Sequence, residues 1–318
     1  MNEQLTKLCE QYIRNRDIIK AAFPWDTPDI IALSAMVFSN RNIAVNPEKL
    51  KECRKLLEHN TSIFSNFRGN TKLPTVSQLA CTEDAAGTMQ NAMGIYSVLK
   101  EYLSGSDYLA YLSTILTGMM PREKTEEMAD HARTIFKAMR KKHPFLSGDE
   151  DFSYAILMTF LEKSDETLLT EMEECFKLLK PHFFHTNAVQ MLSHVLTFGE
   201  GTVEARCDKL LALYNGLCKA KVNYGTTYHM AILGSLSLAD VPAEQLCEEI
   251  VQVDAFLSEQ KGYGLFSIDS STRAMHGAML VSILHNPTIL SEVSAVTGCV
   301  AMVAAQVAAT TMLLTAVT

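Results

Sequence analysis

The chain has 318 residues, 47% of them hydrophobic and 20% charged, with only 9 prolines and 15 glycines. Such a chain buries a large core without staples, which excludes a disordered, collagen-like or small disulfide-rich protein. The formal net charge of −8 argues against a basic groove for nucleic acid and against binding to an anionic membrane surface.

From the N-terminus, Met1 to Glu10 mixes charged and apolar residues and lacks the apolar core of a signal peptide. The eight cysteines include no CxxC pair and fall mostly at apolar positions of helical patterns, so they read as reduced thiols of a cytoplasmic protein. Cys207 and Cys218, three turns apart, share a helix face without touching. Strand alternation and Asn-Gly or Asp-Gly turns are missing, whereas helix starts recur. Thr27 before Pro28 and Asn46 before Pro47 place a capping residue ahead of a first-turn proline; Pro121, Ser164 and Pro242 open further helices.

Two kinds of helix alternate. One kind is amphipathic: Met128, Ala132, Ile135, Phe136 and Met139 form a stripe on 121–142. Three more such stripes follow: Leu168, Leu169, Met172, Cys175, Phe176 and Leu179; Val203, Cys207, Leu210, Leu211, Tyr214 and Leu217; Leu246, Ile250, Val253 and Leu257. The other kind is short and almost uncharged: 30–38, 108–119, 152–161, 187–198, 226–238 and 274–284. A helix with no charged face is covered on most sides. Val37, Leu79, Leu116, Leu161, Leu196, Leu236 and Leu284 then mark a degenerate repeat of about forty residues.

This pattern predicts an all-α chain: an α-solenoid of about seven helical hairpins, a HEAT/TPR-like superhelix with the uncharged helices inside. The alternative is a closed α/α toroid. Residues 1–292 read as one helical-repeat domain. Residues 293–318 carry no charge and read as an Ala/Val/Thr-rich helix or tail packing on the last inner helices, with a tail anchor as the competing reading.

The stretch Tyr108 to Met158 carries a resemblance. It holds Ile115, Leu116, Thr117 and Gly118, then Ala132, Ile135, Phe136 and Met139, then the run His143 to Asp149 leading to Tyr154 and Ala155. In these it resembles an uncharacterised all-helical family of cytoplasmic proteins of Gram-positive bacteria, about 300 residues long and known only as a domain of unknown function. The resemblance implies a helical fold and a bacterial cytoplasmic setting, and no activity.

Candidate chemistry is sparse. His194, His229 and His276 fall on successive inner helices, with His285 one helix end later. With a carboxylate such as Asp269 they would suit zinc or iron, but their spacing matches no metal motif, and core histidines bonded to neighbours are the stronger reading. His182 and His185 flank Phe183 and Phe184 in a connection that reads as ordinary or as a recognition loop. Asp149, Glu150 and Asp151 read as a helix start, and Gly262 with Gly264 as a helix stop. No catalytic residue, cofactor or metal is assigned. Gln190, His194 and Thr197 make a neutral polar stripe, and Tyr228 and His229 lie in a comparable place. The sequence therefore predicts a non-enzymatic interaction or scaffold protein that holds a protein or peptide on a neutral concave inner face, through Gln190, His194, Tyr228, His229 and His276. The alternative is a toroid enzyme or binder for a hydrophobic small molecule.

Overall fold

The structure is a computed structural model of the whole chain, and it describes residues 1–143, 148, 150–264, 268–286 and 296–300. Among these the secondary structure is entirely helical. In chain order the α-helices are α1 Glu3–Ala22, α2 Pro28–Asn40, α3 Pro47–Asn60, α4 Lys72–Ala80, α5 Ala85–Tyr102, α6 Asp107–Leu116 and α7 Thr125–Lys142. Then come α8 Asp151–Met158, α9 Asp165–Leu179, α10 Thr186–Leu196, α11 Val203–Lys219, α12 His229–Ser237, α13 Ala243–Ser258 and α14 Ser270–His285. Short 3-10 turns precede α4, at Asn66–Arg68, and α7, at Arg122–Lys124.

The described residues fall into two compact units. The C-terminal unit is built from Met1–Cys9, Ala138–Ser147 and Phe160–Ala301, and the N-terminal unit from Glu10–Lys137 and Gly148–Thr159. In the N-terminal unit α4 packs between α2 and α6, α6 also meets α8, and α3 meets α5. In the C-terminal unit α12 packs between α10 and α14, while α11 packs between α9 and α13. Within each unit these helices touch the helix two places along, and α3 to α6 and α9 to α14 also touch their chain neighbours within those runs.

Burial follows the same alternation. Every residue of α8 and α12 is buried, as is nearly all of α2, α4, α6 and α10. By contrast α3 buries only Leu50, Cys53 and Leu57, and α9 only Leu168, Met172, Cys175 and Leu179. The stripe of α7 is buried throughout, at Met128, Ala132, Ile135, Phe136 and Met139.

Local starts are set by side chains that satisfy the otherwise orphaned N–H groups of a first turn. Asn46 accepts from the N–H groups of Glu48 and Lys49, Ser106 from Leu109, Ser164 from Thr167, and Thr202 from Ala205. Thr27 departs from expectation: it precedes α2 in extended geometry, but its hydroxyl caps nothing. Pro28 alone starts that helix.

Inner-helix ends are closed from outside. Lys49 on α3 donates to the carbonyl of Thr82, just past α4, at 2.7 Å. Lys209 on α11 donates to Ala239, just past α12. Lys163 donates to Thr197 at 2.9 Å and to Gly199 at 3.2 Å, just past α10, and Arg206 donates to Leu196 and Gly199. Cations are favoured there because the carbonyls of a helix C-terminus carry partial negative charge.

Three sequence expectations need correction. The uncharged helix placed at 152–161 stops at Met158, so Leu161 lies outside it and is only half-buried. The helix marked by Leu79 but left out of the uncharged stretches is the nine-residue α4, which belongs to the buried series although it opens on Lys72. On α11 the covered face is Val203, Arg206, Cys207, Leu210, Leu213 and Leu217, which leaves Leu211 and Tyr214 half-exposed. No described helix is long and apolar enough to cross a membrane. Of the uncharged stretch 293–318, residues 296–300 are helical, with Val296, Thr297, Cys299 and Val300 buried; the remainder lies outside the described residues.

Candidate functional site

The residues singled out from the sequence all lie in the C-terminal unit, on or beside the buried series α10, α12 and α14. Gln190, His194, His229 and His276 are covered, with exposures of 2%, 3%, 4% and 0%. Tyr228, at the start of α12, is half-exposed. As they sit here the four are packed into the unit's interior.

Gln190 lies one turn before His194 on α10, and neither atom of its carboxamide has a hydrogen-bond partner among the described residues. A buried amide in that condition costs about 1–3 kcal/mol, so its retention calls for a reason.

His229 is held by three neighbours. Tyr228 lies nearly flat against its imidazole, 4.1 Å between ring centroids at 22°, and Tyr224 meets it edge-on at 6.2 Å. The Tyr224 hydroxyl donates to the His229 carbonyl at 3.1 Å. Thr227 Oγ1 lies 3.2 Å from His229 Nδ1, a bond whose direction depends on the tautomer. Nε2 has no partner among the described residues. Burial pushes the imidazole pKa down to about 4, with Asp269 pulling weakly the other way. The ring's approach requires Gly225, where a Cβ would stand 2.3 Å from Nδ1.

His276 on α14 pairs its Nδ1 with the Tyr263 hydroxyl at 2.9 Å, and the two rings meet at 83°. His194 lines a small cavity with His143, Glu173, Met139 and Met172. There His143 Nε2 lies 2.7 Å from Glu173 Oε1 and its ring packs on Phe176. His285 likewise pairs with Glu249 at 2.6 Å. Asp269 caps α14: burial would raise its pKa, but bonds from the hydroxyls and N–H groups of Ser271 and Thr272 outweigh this and hold it at about 2.

His229, His276, His285 and Asp269 each bond to their own neighbours and not to one another. Among the described residues no three His, Cys, Asp or Glu side chains gather closely enough to hold a metal ion. In the connection after α9, Phe183 is buried edge-on against Tyr214, while Phe184 stands almost fully exposed.

Sequence reasoning missed two clusters. Arg206, buried on an apolar stripe, joins Lys163 on the carboxylate of Glu171, at 2.7 and 2.9 Å. Cys175 on α9 hydrogen-bonds Cys207 on α11; this bond together with burial pushes the Cys175 thiol up, while the same bond draws Cys207 down. The i, i+4 periodicity put each cysteine on its helix's covered face, but only helix pairing could show that the faces meet.

The chain is similar to the uncharacterized protein YeaA of Bacillus subtilis (strain 168), 22% identical over 270 residues that cover 80% of this chain and 81% of that protein. No solved structure matches it. The stretch Tyr108 to Met158, with its helix-start and packing residues, lies inside a longer match that spans residues 15–308 and takes in both units. That match is to the protein family of unknown function DUF4003, and the chain belongs to this family.

Proposed function

We propose that the chain is a non-enzymatic helical-repeat interaction protein of the cytoplasm, whose buried helices receive a protein or peptide segment. The repeat reading is supported by helices that pack on the helix two places along, and by lysines that close the buried helices α4, α10 and α12 across 33, 34 and 30 residues. An α-solenoid is the arrangement that generates this recurrence most directly. The cytoplasmic setting is supported by eight free cysteines, two of them thiols in mutual contact.

The observation that carries the binding role is the Gln190 amide. Its two polar atoms are buried and unpartnered, and α12, which packs on α10, brings a third such atom at His229 Nε2. A main chain presents alternating donors and acceptors, and an inserted segment would satisfy both. Tyr228, half-exposed beside His229, marks the accessible edge.

The test is Gln190→Leu. Removing an unsatisfied amide raises the thermal midpoint by a few degrees, and affinity capture from native extract loses the partner held by the wild-type chain. A lowered midpoint with unchanged capture would overturn the reading, because Gln190 would then be serving the fold.

A further inference from the structure

A second site lies in the N-terminal unit, far in sequence from Gln190 and independent of it. The connection between α3 and α4 carries Ile63 and Phe64, which are 72% and 91% exposed. Exposed apolar residues on a loop mean little if the loop is loose. This one is held. Arg68, in the 3-10 turn Asn66–Arg68, gives its guanidinium to the carbonyls of Glu58 and Thr61 and to the Thr61 hydroxyl at 3.0 Å. Ser65 caps the same turn by accepting from the Phe67 N–H. Glu58 in turn holds Lys72 and Arg54. The loop is fastened at both ends, so the Ile63 and Phe64 side chains are presented by a fixed backbone.

Phe64 stands on the rim of a groove of about 580 Å³ between this loop and α5. Its floor is aromatic, with Phe67 and Tyr96 edge-on at 5.2 Å. Tyr96 is fixed by donating to Asn66 Oδ1 at 2.7 Å, and Gly105 leaves room for that hydroxyl, which a Cβ there would approach to 2.7 Å. Its walls carry small hydroxyl and amide side chains, including Asn60, Ser62 and Ser97. Among the described residues Lys100 is the charged one in the lining, its ammonium 6.0 Å from the Tyr96 ring centre, while the Asp107 carboxylate lies behind the wall, taken by the Asn66 amide at 3.4 Å. A chain with net charge −8 thus presents at this place a cation, uncharged hydrogen-bonding groups and two apolar side chains. An aromatic centre bordered by polar groups is the anatomy of an interface patch, with its apolar core and polar rim.

We propose that this groove binds a short acidic peptide segment of a partner protein, with a carboxylate on Lys100 and an adjacent large apolar side chain against Phe64. Asn60, Thr61, Ser65 and Asn66 are engaged within the protein, so Ser62 and Ser97 are the hydroxyls that meet the peptide main chain, with its alternating donors and acceptors. A basic segment is rejected by Lys100, and a purely apolar one leaves Lys100 without a counter-charge.

Fluorescence anisotropy on the full chain tests this, using labelled six-residue peptides with two carboxylates and one leucine or phenylalanine, against the same peptides with amides in place of carboxylates. The acidic peptides bind at least ten-fold tighter than the amide set. Lys100→Glu abolishes that preference, Lys100→Arg keeps it, and Phe64→Ser weakens binding of the acidic set at least five-fold. Both residues are exposed, so the variants fold, and unchanged thermal midpoints verify this. Equal binding of the two peptide sets, or indifference to Lys100→Glu, would sink the proposal. So would an absence of peptide binding accompanied by Phe64-dependent sedimentation with phosphatidylglycerol vesicles, which would assign the loop to a membrane surface. Phe64 and Lys100 lie outside the helices that carry Gln190 and His229, so this test and that of the buried helices fail separately.

Discussion

The ammonium of Lys163 lies 2.9 Å from the carbonyl of Thr197, thirty-four residues further along the chain. It binds Gly199 as well, and Glu171 balances its charge. Lys49 on Thr82 and Lys209 on Ala239 repeat the arrangement. Replacing such a lysine by methionine keeps the aliphatic stem and strands helix-end carbonyls. Lys163→Met is expected to cost about 2 kcal/mol and Lys49→Met about 1 kcal/mol in urea unfolding, because bonds to charged donors are the stronger kind. Losses below about 0.3 kcal/mol at both positions would show that these bonds contribute little.

Acid stability reports on His229. Its folded pKa is about 4 against an ordinary value of 6.5, so between those limits the unfolded chain takes up a proton that the folded chain does not. Stability is therefore whole above about pH 6.5 and falls as pH drops toward 4, by up to about 3 kcal/mol from this residue. Asp269, held at about 2, releases its own contribution only below about pH 4, so the two are separable. Urea midpoints at pH 7.5, 6 and 5 should converge in His229→Gln. An identical pH slope in wild type and variant would remove His229 as the cause.

Thiol reactivity follows exposure. Cys218 is the exposed cysteine and Cys81 is half-buried, with burial pushing its pKa up to about 11. The other six are buried. Ellman's reagent on the native chain should consume one thiol quickly, and Cys218→Ser should erase that phase. A fast phase of three or more thiols, beyond Cys218 and the half-buried Cys81, would mean that a buried cysteine such as Cys175 or Cys207 opens in the native state.

Gly225→Ala tests how tightly His229 is seated. The new methyl would meet the imidazole at 2.3 Å, so either ring or loop must shift, at a cost of about 1–3 kcal/mol. His229→Ala in the same background restores space, and the two changes together should cost less than their sum. Additive losses would place the strain elsewhere.

Much of the fold was legible because burial leaves a trace in charge. The stripe of α7 and the uncharged runs of α2, α6, α10 and α12 could be read directly, since a covered helix tolerates little charge on any face. Where the trace failed, a covered residue carried charge for a local reason. Arg206 sits on a buried face because helix-end carbonyls and Glu171 neutralise it there, which no periodicity reveals. The histidines were correctly placed on the buried series, but whether they met each other or their own neighbours depended on rotamers and loops such as 224–228. The groove under Phe64 was invisible for a related reason: it joins 60–67 to 93–105 through pairing of α5 with its surroundings, and its hydroxyl and amide residues look like any loop.

The bonds from Lys49 and Lys209 also act as a ruler. Each ties a point on one helix to the far end of the next, so a hairpin can neither gain nor lose a turn without breaking it: one extra turn moves the carbonyl by about 5.4 Å, beyond the reach of the same ammonium. Length variation among relatives should therefore accumulate in the connections that lie outside these spans, and the buried helices α4 and α12 should keep their lengths even where their sequences drift.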